Sequence, residues 1–103
     1  MATKQEDVAR AIAFFEASFD VEMMRRALAG AAPRIAGQVR RQIQRGGDGD
    51  MPPPADIPTA VEPASQAEAL QTLAGTSDFA LLQAMTRAIG KRVEKLIEAA
   101  PRN

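Results

Sequence analysis

The chain has 103 residues, 46% hydrophobic and 25% charged, with thirteen basic and thirteen acidic residues and a formal net charge of zero. One domain of this length buries about 60 to 65% of its unfolded surface, enough for a modest core. With no histidine and no cysteine it lacks the commonest general base, the thiolate nucleophile, zinc-thiolate sites and disulfides, and it lacks the overall basicity of a generic nucleic-acid or membrane binder.

Thr3-Lys4-Gln5-Glu6 matches a capping box and predicts the start of the first helix. Val8, Ala11, Ile12, Phe15 and Phe19 then recur at helical spacing, with Phe14 off that stripe. Charges interrupt these first residues and no apolar run reaches about 18, so neither a secretory signal nor a membrane span is expected, and cytoplasmic residence is the default. The abundance of alanine and of arginine over lysine suits a GC-rich bacterial genome.

Ser18 and Asp20 each offer a cap for the next helix, whose seam is Val21, Met24, Leu28 and Ala31. Pro33, three residues after Gly30, predicts a division into segments of about 20 to 30 and 33 to 45, because proline removes an amide and suits a first turn. In the second segment Arg34, Arg41 and Arg45 fall within about 40° of one another, while Ile35, Val39 and Ile43 gather on the opposing side. This is a helix with a cationic wet face. Six arginines stand between Val21 and Arg45 against Glu22 alone, whereas residues 46–80 hold six acids and no base.

Residues 46–63 contain three glycines and five prolines without an apolar period and read as a flexible linker between two helical halves. The opening GGDGD resembles neither a complete calcium loop, since Pro52 replaces the third oxygen ligand, nor a phosphate loop, since no Gly-Lys-Ser/Thr follows. The run RRQIQRGGDGDMPPP (40–54) resembles the arginine-rich helix and Gly-Asp-Gly-x-x-Pro segment of some phage virion-morphogenesis (tail-completion) proteins. It spans about fifteen residues, lacks the tryptophan usual there and precedes helices where that family has other structure; no family is assigned from it.

Ser65-Gln66-Ala67-Glu68 is a second capping box, opening a short helix with Leu70, Leu73 and Ala74 inward and Gly75 at its end. Thr76, Ser77 and Asp78 cap the longest helix, about 78 to 100, whose Leu82, Met85, Ile89, Val93, Leu96 and Ala100 form a stripe roughly 80° wide, broadened by Phe79 and Ile97. Gly90 weakens that helix by about 1 kcal/mol unless another helix packs closely against it. Few β-branched residues and no period-two alternation argue against strands.

The fold expected is an all-α single domain over 1–103, a bundle of four to five helices made of N-terminal helices (3–45), the linker (46–63) and a C-terminal helical hairpin (64–100). Its expected core is Val8, Ile12, Phe15, Phe19, Met24, Leu28, Ile35, Val39, Ile43, Leu70, Leu73, Phe79, Leu82, Met85, Ile89, Val93 and Leu96. Without a catalytic, metal or cofactor motif, the function expected is that of a small non-catalytic protein–protein interaction or regulatory adaptor protein. The expected partner-binding residues are Arg34, Gln38, Arg40, Arg41, Arg45 and Phe14, facing a protein partner or a second copy. The alternative from another class is nucleic-acid binding through the same arginines, largely sequence-independent because no aromatic residue is interleaved for base stacking.

Overall fold

Side-chain caps divide the chain into helices in the computed structural model, which describes residues 4–44, 46, 57–58 and 62–99. After α1 (Lys4–Ala17), the Asp20 carboxylate accepts the Met23 amide at 3.0 Å and begins α2 (Val21–Gln44). Ser65 Oγ accepts the Glu68 amide at 3.2 Å and begins α3 (Gln66–Gly75), and the Asp78 carboxylate accepts the Leu81 amide at 3.2 Å and begins α4 (Phe79–Ala99). Each satisfies an amide that the first turn leaves without an intrahelical partner. No strand occurs among the described residues. Thr3, expected to cap α1, lies outside them.

The expected break before Pro33 does not occur: α2 is one helix of 24 residues with Pro33 inside it. The carbonyl deprived of a donor is that of Ala29, and both Ala29 and Pro33 are exposed. That side of the helix is open to solvent, which removes the strongest reason for the helix to end.

Two arginines set the relative directions of the helices. Arg92 of α4 donates from Nε to the Ser18 carbonyl at 2.8 Å, placing the later part of α4 at the α1–α2 turn. Arg34 of α2 donates to the carbonyls of Leu73, at 2.7 Å, and of Thr76, placing the middle of α2 at the α3–α4 turn. Thus α2 runs against α4. A groove lined by Met23, Arg26, Ala27, Gln66 and Leu70 sets the start of α2 beside the start of α3, so these two helices run the same way. On α1, Arg10 pairs with Glu68 at 3.0 Å and its carbonyl accepts the Ala64 amide at 3.0 Å. In taking Arg10, Glu68 binds across the bundle. α1 packs on α3 and α4, and α2 packs on α4 and more lightly on α3, so α1 lies diagonal to α2 and α3 diagonal to α4.

That topology explains the length of the segment between α2 and α3. Two parallel helices cannot be joined by a tight turn; the chain has to return from Gln44 to the level of Arg26, about 27 Å at 1.5 Å per residue. The flexible linker expected at 46–63 falls largely outside the described residues. Of its described part, Ile57 packs against the core.

The buried core joins Val8, Ala11 and Phe15 of α1, Met24 and Ala31 of α2, Ala69 and Leu73 of α3, and Leu81, Leu82, Met85, Ile89 and Val93 of α4. Ile12, Leu28, Ile35, Leu70 and Leu96 pack on its edge, and Val39 and Phe79 are half-buried. Two expected core residues are corrected. Phe19 is 80% exposed, because α1 ends at Ala17 and Phe19 belongs to the turn, where its ring lies 4.9 Å from the Arg92 guanidinium. Ile43 is 56% exposed, because α2 continues past the helices that pack on it. No neighbour packs closely at Gly90, where a Cβ meets nothing within 4 Å, so the glycine weakens α4 without a packing gain.

Candidate protein-docking face

The arginine face of α2 divides at Arg34. The Arg34 guanidinium is part-buried and spends both terminal nitrogens on the last carbonyls of α3, where Thr76 Oγ1 also donates to the Thr72 carbonyl at 2.5 Å. A cation at a helix C-terminus meets the negative end of the helix dipole, and the planar fork of arginine reaches two carbonyls at once. Arg34 is therefore a clamp between α2 and α3 rather than a free surface charge.

Beyond it the helix changes character. Since Arg34 sits level with the α3–α4 turn, the nine residues 36–44 carry α2 about 13 Å farther along its own axis. Arg40, Arg41, Ile43 and Gln44 are exposed, whereas Gln38 and Val39 are half-buried. Neither Arg40 nor Arg41 pairs with an acid among the described residues; the ion pairs there join Arg10 to Glu68 and Arg26 to Glu22. Arg45 lies outside the described residues. Phe14 is half-buried against the core, edge-on to Phe15 with ring centres 5.4 Å apart, so it is not part of this face.

The outer side of α2 carries a pattern that the division at Pro33 concealed. Ala29, Ala32, Ala36, Val39 and Ile43 follow one another at intervals of three and four, the spacing of a helix–helix seam. The three alanines and Ile43 are exposed, and Val39 is half-covered. Ile35 belongs to the core side instead, so Ile35 and Ile43 do not share one buried face. The spacing was legible in the sequence once alanine is counted as apolar and α2 is kept whole.

Other surfaces offer less chemistry. An open groove between the start of α1 and the α3–α4 turn is lined by Lys4, Asp7, Thr72, Gly75, Thr76, Ser77 and Asp78, whose carboxylate at Asp78 is committed to a helix cap. Ser65 and Ser18 accept backbone amides, and Glu94 and Glu98 stand exposed on α4. No group of three or more acidic side chains able to hold a metal occurs among the described residues, and no described helix is long and apolar enough to cross a membrane. Comparison of the chain with protein-family models, curated proteins and solved structures finds no match, which leaves the outer face of α2 as the feature from which a function is to be read.

Proposed function

We propose that this chain is a small non-catalytic adaptor that docks a protein partner on the outer face of the C-terminal half of α2. The observation that carries the reading is the run of α2 past Arg34, where Val39 and Ile43 form one strip flanked by the exposed Arg40, which has no acid partner among the described residues. Covering an aliphatic side chain of this size stabilises a complex by about 1.5 to 3 kcal/mol, and a guanidinium at its edge adds planar, bidentate recognition of carboxylates. A cytoplasmic setting goes with this reading.

Nucleic-acid binding through the same helix is the weaker reading. With Arg34 committed to α3, Arg40 and Arg41 are the described arginines left on this end of α2. Two phosphate contacts give a salt slope of only about −1.8, and no aromatic side chain is present there for stacking.

The test is capture from native lysate by the wild-type chain and by Ile43→Asp and Arg40→Ala/Arg41→Ala variants, with nuclease treatment in parallel. A stoichiometric protein held by the wild type after nuclease and lost with the variants is the expected result. Recovery of nucleic acid alone, released by moderate salt, would replace the adaptor reading with the second one.

A further inference from the structure

We infer that the segment docking on this face is an acidic amphipathic helix, laid along α2 from Arg25 to Ile43; the inference rests on the adaptor reading and specifies its partner. Extended by Arg25, the outer seam runs Arg25, Ala29, Ala32, Ala36, Val39, Ile43, all on intervals of four and three. A surface with that period accepts the matching row of another helix, whereas a strand or an irregular loop meets it at only a few points. The seam is also graded. Alanines at 29, 32 and 36 let a partner backbone come close or a large side chain enter, and Val39 and Ile43 fill the interface at the other end.

Charge selects the sign of the partner. After Glu22, which is held by Arg26 at 2.7 Å, no described residue of α2 is acidic. Arg25 heads the seam and Arg40 flanks it beside Ala36 and Ile43; both are exposed and neither has an acid partner among the described residues. They stand fifteen residues apart, about 22 Å along the axis, so a helix with carboxylates two heptads apart meets both.

A second copy of this chain fits the face poorly. Pairing two copies of α2 in parallel sets Arg25 and Arg40 against their own counterparts. An antiparallel pair sets Arg25 against Ile43 and brings together two cationic surfaces that carry, among the described residues of α2, no acid after Glu22. Like charges in such positions oppose association.

The experiment titrates the full chain with four synthetic probes by fluorescence anisotropy and follows its own mass by sedimentation. The probes are a peptide of about three heptads with leucine on the seam and glutamate flanking it, its lysine-for-glutamate counterpart, a scrambled peptide of the acidic composition, and single-stranded DNA of similar length. The acidic amphipathic peptide is expected to bind one to one, and Ile43→Asp to weaken it at least about tenfold. Arg25→Glu/Arg40→Glu is expected to lose that peptide and to gain its lysine counterpart, a reversal that a damaged fold does not produce.

Equal binding of the scrambled or the lysine peptide, binding of DNA alone, or a wild-type dimer dissolved by Ile43→Asp would each overturn the inference. If no peptide binds but a lysate partner is still lost with Ile43→Asp, the acidic helix is wrong and the docking face stands. If that partner is indifferent to Ile43→Asp, the docking face itself is wrong.

Discussion

Replacing Arg34 by methionine separates the clamp in α2 from the surface arginines that follow it. Methionine keeps most of the aliphatic stem and removes the guanidinium, which donates to the Leu73 carbonyl at 2.7 Å and to the Thr76 carbonyl. Hydrogen bonds to a charged group contribute about 1.5 to 3 kcal/mol each, and a cation at a helix C-terminus about 0.3 to 1 kcal/mol more. Because the site is only part-buried, water takes over some of what is lost, and the lower ends of these ranges apply. The expected cost is about 3 kcal/mol, which lowers the melting temperature of a domain this size by roughly 12 to 24 °C. Arg40→Met and Arg41→Met, on the same helix but exposed, are expected to stay within about 0.5 kcal/mol of wild type. Urea denaturation followed by far-ultraviolet circular dichroism measures all three. An Arg34→Met variant as mild as Arg41→Met would refute the clamp, and with it the division of the arginine face.

Pro33→Ala restores an amide donor to the Ala29 carbonyl, and a gain of about 1 to 2 kcal/mol is expected in the same denaturation, after allowing for the freer unfolded chain; a loss would show that the proline is needed for the path of α2. Gly90→Ala, where the new Cβ meets nothing within 4 Å, is expected to gain about 0.5 to 1 kcal/mol, and destabilisation would mean that a neighbour lies closer than this. Phe19→Ala removes an exposed ring and its contact with Arg92, a cost below about 1 kcal/mol; a melting scan showing a loss of about 3 kcal/mol would return Phe19 to the core. Ile89→Asp puts a carboxylate at a position with no solvent exposure and is expected to abolish the helical signal, so native-like circular dichroism would break the core assignment.

What could be read from the residues depended on how local each signal is. Asp20, Ser65 and Asp78 cap helices because a short polar side chain next to an apolar period satisfies amides two or three residues away, and that information lies within one turn. The stripe Leu82, Met85, Ile89, Val93 of α4 was equally plain, since large aliphatics at helical spacing are costly to expose. Pro33 misled because its local penalty depends on whether the Ala29 carbonyl reaches water, a property of the side of the helix that α3 and α4 leave uncovered. Phe19 misled by continuing the α1 period two residues past the helix end. The buried alanines, Ala11, Ala31 and Ala69, carry no signal of burial in their chemistry; they mark where helices approach closely, which only the packing decides.

The docking face was half legible. An amphipathic pattern set Val39 and Ile43 together, but it grouped Arg34 with the exposed arginines and Ile43 with the buried aliphatics. Both errors have one origin: the angle around a helix says which residues share a side, while the length of the neighbours says how far along that side anything is covered. Arg34 and Ile35 lie before the α3–α4 turn, and Arg40 to Gln44 lie after it.

Hydrogen–deuterium exchange resolved along α2 in the free protein tests that division most directly. Amides between Met24 and Ile35 are expected to exchange as slowly as those of Met85 to Val93, through global unfolding, and amides from Arg40 to Gln44 roughly a hundredfold faster, through fraying of the uncovered turns. Uniform protection from Met24 through Gln44 would contradict it, because the end of α2 would then already be covered and unavailable to a partner.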